Sequence, residues 1–198
     1  MKIWKSLAEV KGKPVSNYDK SGWVVGEWRT AYKPVSECVG LNGSKNIIDA
    51  MGYVNCEWLA LCECGGKIIK GSDKWTCEKM RIIKLWKWEK DDSVRLAIYA
   101  AESVLSIFEK ECPGDKRPRQ AIEAAKAWIK NPCEKTWAAS AASAASAASA
   151  ARAEVWAASA AWAAASATWA AARDVESSAA IKNKCHKYVL SLLKSKEA

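Results

Sequence analysis

The chain has 198 residues, with 31 Lys and Arg against 22 Asp and Glu, so it carries a formal charge of +9 and has room for one domain or two small ones. Half of its letters are hydrophobic, but Ala inflates that share, and the large apolar residues are led by 12 Trp beside a single Phe. No window approaches the roughly 18 large apolar residues of a membrane span, and the Lys-rich start lacks the apolar run of a secretory signal, so a cytoplasmic protein without membrane contact is expected.

Residues 1–91 hold all but one of the ten glycines and several short apolar alternations, which are turn and strand signals. Trp23-Val24-Val25 reads as a strand ended by Gly26, and residues 46–51 as a short helix stopped by Gly52. Residues 57–63 alternate like a strand, with Gly65-Gly66 supplying the positive φ of a hairpin turn into Lys67-Ile68-Ile69. Met80, Ile82, Trp86 and Trp88 fall on one side of a two-residue period and predict a final strand. This half reads as small α+β.

The composition changes at Asp91-Asp92-Ser93, which is taken as a boundary between a domain of residues 1–91 and one of residues 92–198. Leu96, Tyr99, Ala100, Val104, Ile107 and Phe108 then form a helical stripe that should end before Cys112-Pro113-Gly114. Asp115 can cap a second helix that tolerates Pro118 in its first turn and buries Ala121, Ile122, Ala125, Trp128 and Ile129. Asn131-Pro132-Cys133-Glu134 has the pattern of a third helix start. Residues 137–172 are almost all Ala, Ser and Trp, with very high helix propensity. Ser140, Ser143, Ser146 and Ser149 recur every three residues, so on a helix they make a ridge drifting by about 60° per step. A basic amphipathic helix over residues 181–193, carrying Val189, Leu190, Leu192 and Leu193, closes the chain. The expected class is α+β: a small N-terminal antiparallel sheet followed by an Ala-rich, all-α bundle.

Eight Cys without a secretory signal argue for reduced thiols. Cys56, Cys62, Cys64 and Cys77 are the candidate zinc set, since Cys62 and Cys64 share one side of a strand. Their spacing is not that of a paired C-x₂-C ribbon, and packing as small hydrophobes is the favoured reading, with no metal expected. The single histidine, His186, follows Cys185 on the closing helix, where neighbours point about 100° apart and make a poor catalytic pair. No P-loop, G-x-S-x-G or dinucleotide-type glycine string occurs, and no cofactor is expected.

Arg95, Lys116, Arg117 and Arg119 form the most informative charged group. Arg117 and Arg119 lie at a helix N-terminus, where free amides and two guanidiniums suit phosphate or carboxylate. The plainer reading is an internal ion pair, for instance with Glu102 or Glu123. Trp128 and Trp156 are candidate stacking platforms beside these cations. Excess charge is shared between the two halves, so no concentrated nucleic-acid stripe stands out, and nucleic acid is not the favoured partner.

The stretch Arg95-Leu-Ala-Ile-Tyr-Ala-Ala-Glu102, followed by Asp115-Lys-Arg-Pro-Arg-Gln-Ala-Ile-Glu-Ala124 and Trp128, resembles the immunity protein five-like helical domain over residues 93 to about 180. The first half is similar to small domains common in phage proteins, on residues 32–40, Asp49-Ala50, residues 61–66 and residues 73–83. Those domains usually carry a Gly-Phe-His-Ala type core, where this chain has Glu37-Cys38-Val39-Gly40. The pairing implies a phage-type protein acting in the cytoplasm of a bacterial host. Within that context, the basic, Trp-bearing group leads us to expect a non-enzymatic role, counteracting host defence or a toxin by sequestering an anionic, nucleotide-like ligand or by occluding a host or toxin protein. Two alternatives stand beside it. One is a nucleotide-dependent group-transfer enzyme in the first half, using Tyr32, Glu37 and Glu63. The other is a structural homo-oligomer joined through the Ser/Ala ridge.

Overall fold

The computed structural model describes residues 1–33, 35–36, 39–52, 56–132 and 175–197. In chain order its elements are β1 (Lys2–Val10), β2 (Lys13–Val15), β3 (Arg29–Thr30), β4 (Leu41–Gly43), α1 (Ile47–Gly52), β5 (Trp58–Lys70) and β6 (Trp75–Lys87). Three helices follow: α2 (Lys90–Glu111), α3 (Arg117–Lys130) and α4 (Val175–Ser195). The class is therefore α+β, an antiparallel sheet followed by helices, as expected. Two compact units emerge, a sheet unit of Met1–Glu89 with Leu190–Ala198 and a helical unit of Lys90–Val189. The Ala-rich segment with its serine ridge, Trp156, Glu37, and the third helix start at Cys133 and Glu134 lie outside the described residues.

In the sheet unit the order is β2-β1-β5-β6-β3, with β4 also on β6. Trp4 and Ser44 exchange both backbone hydrogen bonds, at 2.7 and 2.8 Å, so β4 meets β1 as well. The sheet thereby curls through β1, β5, β6 and β4 back to β1. Ile3 and Leu7 from β1, Ala60, Cys62 and Cys64 from β5, and Cys77, Met80 and Ile82 from β6 fill the inside, with Trp23 from the loop between β2 and β3. On the opposite face of β1, α1 packs, and Ser6 donates to the Ala50 carbonyl (2.8 Å). Asn46 caps α1 by accepting from the Ile48 N–H (2.9 Å).

Three expectations are corrected here. Trp23-Val24-Val25 is not a strand, because only Val25 bridges to β6, at Ile82. Gly65-Gly66 is no hairpin turn either: β5 runs on to Lys70, and the chain reverses at residues 71–74, where the Gly71 N–H bonds the Lys74 carbonyl (2.9 Å). The positive φ of Gly66 (70°) serves a bulge instead, in which Gly66 and Lys67 stand opposite Glu78 alone. Glu78 closes the bulge by accepting from the Lys67 N–H (2.8 Å).

The third correction concerns β6. The register passes from Cys62↔Ile82 to Leu61↔Lys84, which leaves Ile83 as an extra residue. A one-residue slip turns every later side chain to the other face. Met80 and Ile82 therefore point inside, whereas Trp86 lies on the outer face with its ring 5.9 Å from that of Trp4.

In the helical unit α2 and α3 run antiparallel. Val94 and Ala97 pack on Ala125 and Trp128 at one end, and Ala101 and Leu105 pack on Ile122 further along. Small residues on both helices permit this close approach. The turn between them is fixed by Asp115, whose Oδ1 accepts from the Arg117 backbone N–H (3.0 Å). On α4, Ile181, Cys185, Val189 and Leu193 are buried at four-residue steps. Among the described residues no helix is long and apolar enough to cross a membrane.

Candidate functional site

One helical face of α2 brings Arg95, Tyr99 and Glu102 into line at three- and four-residue spacing. With Lys126 and Lys130 from α3 and Tyr188 from α4 they surround a recess of about 570 Å³. That volume lies within the range of small-ligand sites. Its floor is apolar, made by the half-buried Ile98 and Ile129 where they lean on the α2–α3 core. The rings of Tyr99 and Tyr188 stack beside it, with centroids 4.2 Å apart and planes within 1° of parallel. Burial pushes the Tyr188 hydroxyl above its ordinary pKa, against the opposing pull of Arg95, so it stays protonated and neutral at physiological pH.

The rim carries three cations and one carboxylate. Lys126 Nζ lies 2.8 Å from Glu102 Oε1 and 2.9 Å from Glu123 Oε1, and these contacts raise its pKa. Arg95 and Lys130 are exposed and make no ion pair among the described residues. A flat aromatic wall next to uncommitted cations can take a ring and a negative charge together.

The other sequence candidates stand elsewhere. Arg117 forks onto Asp115, through Nε at 2.9 Å and NH2 at 2.7 Å, which depresses the Asp115 pKa to about 2. Arg119 makes a two-point contact with Glu109 (2.7 and 2.6 Å) and holds its carboxyl below the usual range. Lys116 donates to the Pro113 carbonyl (3.1 Å). Trp128 is 6% exposed in the α2–α3 core, with Lys90 5.1 Å from its ring centre. Sequence reasoning found Arg95 but missed Tyr99, Tyr188 and Lys130 as a group. By spacing Tyr99 belongs to the apolar stripe of α2, and nothing in sequence spacing ties α2 to α4.

In the sheet unit Cys62, Cys64 and Cys77 are interior side chains. Burial pushes the Cys62 thiol up to about 12, and hydrogen bonding to Cys77 followed by burial raises that of Cys64. Among the described residues no group of three or more His, Cys, Asp or Glu is placed to hold a metal. Lys5 shares the inner face; its ammonium donates to the Asn42 carbonyl (2.8 Å) and sits 5.4 Å from the Trp23 ring, and burial lowers its pKa. Of the residues considered for group transfer, Tyr32 is 96% exposed. Glu63 accepts from Arg81 Nε (2.8 Å), which holds its pKa down rather than raising it toward that of a general base.

Helices α2 and α3, which supply all of the recess but Tyr188, lie within a family match. Residues 84–182, half of the chain, match the family described as "Imm-5 like putative immunity protein". The chain belongs to this family. Membership in the Imm-5-like family points to a protective role exercised by binding a protein partner rather than by catalysis. No curated protein and no solved structure matches the chain.

Proposed function

We propose that this Imm-5-like protein acts without catalysis, neutralising a toxin or a host defence by holding an anionic partner in the basic, aromatic recess of its helical unit. The observation that carries this reading is the pair Arg95 and Lys130, exposed and without ion pairs among the described residues, beside the Tyr99–Tyr188 stack. A nucleotide-like small molecule offers both chemistries, with phosphate for the cations and a flat base for the tyrosines. An acidic segment of a protein partner is the second reading, favoured by family membership. Either way the ligand is occluded rather than transformed, and the reading takes the protein to be phage-type and to act in the cytoplasm of a bacterial host.

Isothermal titration of the full chain with adenosine 5′-monophosphate tests the small-molecule version. Binding should be measurable, should weaken at least about tenfold when Arg95 and Lys130 are both changed to Ala, and should be weaker for uncharged adenosine. No heat from the wild type would remove this version. Heat unaltered by the double substitution would place the binding outside the recess.

A further inference from the structure

Among the described residues, Lys126 differs from the other two cations of the recess in already having ion-pair partners. Glu102 and Glu123 hold its ammonium from two helices, and they stand in different places. Glu102 lines the recess three residues beyond Tyr99, whereas Glu123, three residues before Lys126 on α3, is not part of the wall. A carboxylate inside a site otherwise fitted for anions is a cost to any anionic ligand unless it is moved or neutralised.

Resting on the recess being an anion site, we infer that Glu102 is its built-in competitor, an internal anion that selects ligands by charge. The Lys126–Glu102 contact is partly exposed, with side chains 38% and 44% accessible, so it belongs to the weak class of ion pairs and is readily exchanged. An ammonium has three N–H donors, and Lys126 can keep Glu123 while it trades Glu102 for a ligand oxygen. A dianionic phosphate meets Lys126 with about twice the Coulomb attraction of a singly charged group and makes the trade. The displaced Glu102 side chain, 44% accessible, then turns out to water, where its repulsion of the ligand is screened. A singly charged ligand is left with Arg95 and Lys130 and also faces the Glu102 carboxylate. Glu102 is thus a specificity residue.

The test compares two probes that share a base. Near pH 8 adenosine 5′-monophosphate carries close to two negative charges, because its second phosphate pKa is about 6, and adenosine 3′,5′-cyclic monophosphate carries one. Titration of the full-length wild type should show preference for the first. Glu102→Gln should tighten the cyclic probe by about fivefold and the open one by less, narrowing the preference. Glu123→Gln removes an equal charge and an equal contact from Lys126 but should leave the preference as it was. An unchanged preference in Glu102→Gln, or the same narrowing in both variants, overturns the inference, even where Arg95-dependent binding upholds the recess itself. Absence of binding in the wild type overturns the recess as a nucleotide site and this inference together.

Discussion

At the scale of single residues, Gly43 shows how little room the curled sheet leaves. A Cβ there would stand 2.6 Å from Ile3 Cδ1 and 2.7 Å from the Trp4 carbonyl oxygen. The Ile3 methyl can turn away, but the Trp4 carbonyl oxygen cannot, because its backbone is bonded to Ser44. Gly43→Ala should therefore cost about 1–3 kcal/mol, the usual range for overpacking. Urea denaturation followed by tryptophan fluorescence measures this, and an unchanged midpoint would show that β4 moves off β1 without penalty. The same scale bears on Arg117 and Arg119, for which the plainer reading, an internal ion pair, is met by Asp115 and Glu109 rather than by Glu102 or Glu123. Both have the chemistry of anion contacts, but Asp115 and Glu109 lie within reach and take that capacity. Arg95 has no such neighbour among the described residues and keeps it.

At the scale of elements, the start of α3 predicts a response to acid. Asp115 is held near pKa 2 by Arg117, side chain first and backbone second. Because its folded pKa is depressed below the unfolded value, the contribution is present above about pH 4. It is lost as pH falls through about 2. Asp115→Asn should remove that part of the loss of helix signal between pH 4 and 2 in circular dichroism, and an identical acid profile in both proteins would refute the role.

Helices were the legible elements, since Ala121, Ile122, Ala125 and Trp128 announce a buried face by spacing alone. The strands were less so, for two physical reasons. Ile3, Trp4, Ser6, Leu7 and Ala8 are all buried, so β1 shows no alternation and went unread. In β6 the alternation is visible, but the extra residue Ile83 reverses its meaning halfway, and no periodicity reveals a bulge. The recess was legible only in Arg95, because its other members meet through tertiary packing.

At the scale of the whole molecule, the chain carries a net charge of +9, and the cations of the recess are mostly exposed. Exposed charges are screened over about 10 Å at 0.1 M salt. Raising sodium chloride from about 0.05 to 0.3 M should thus weaken adenosine 5′-monophosphate binding several-fold in titration calorimetry. Salt-independent binding would mean that the tyrosine stack holds the ligand without help from charge.

The pairing of β1 with β5 has a temporal consequence as well. Lys2 finds its register partner in Glu63, and Leu7 in Trp58, so although Ala8–Val10 pair at once with the neighbouring β2, the rest of β1 waits for β5 until some fifty to sixty residues have followed it. Contacts so distant in sequence form slowly, and during synthesis the chain passes through a stage in which the apolar side chains of β1 are bare. A newborn molecule would then be most vulnerable to aggregation and to chaperone capture before β5 emerges, long before the helices that carry the recess exist.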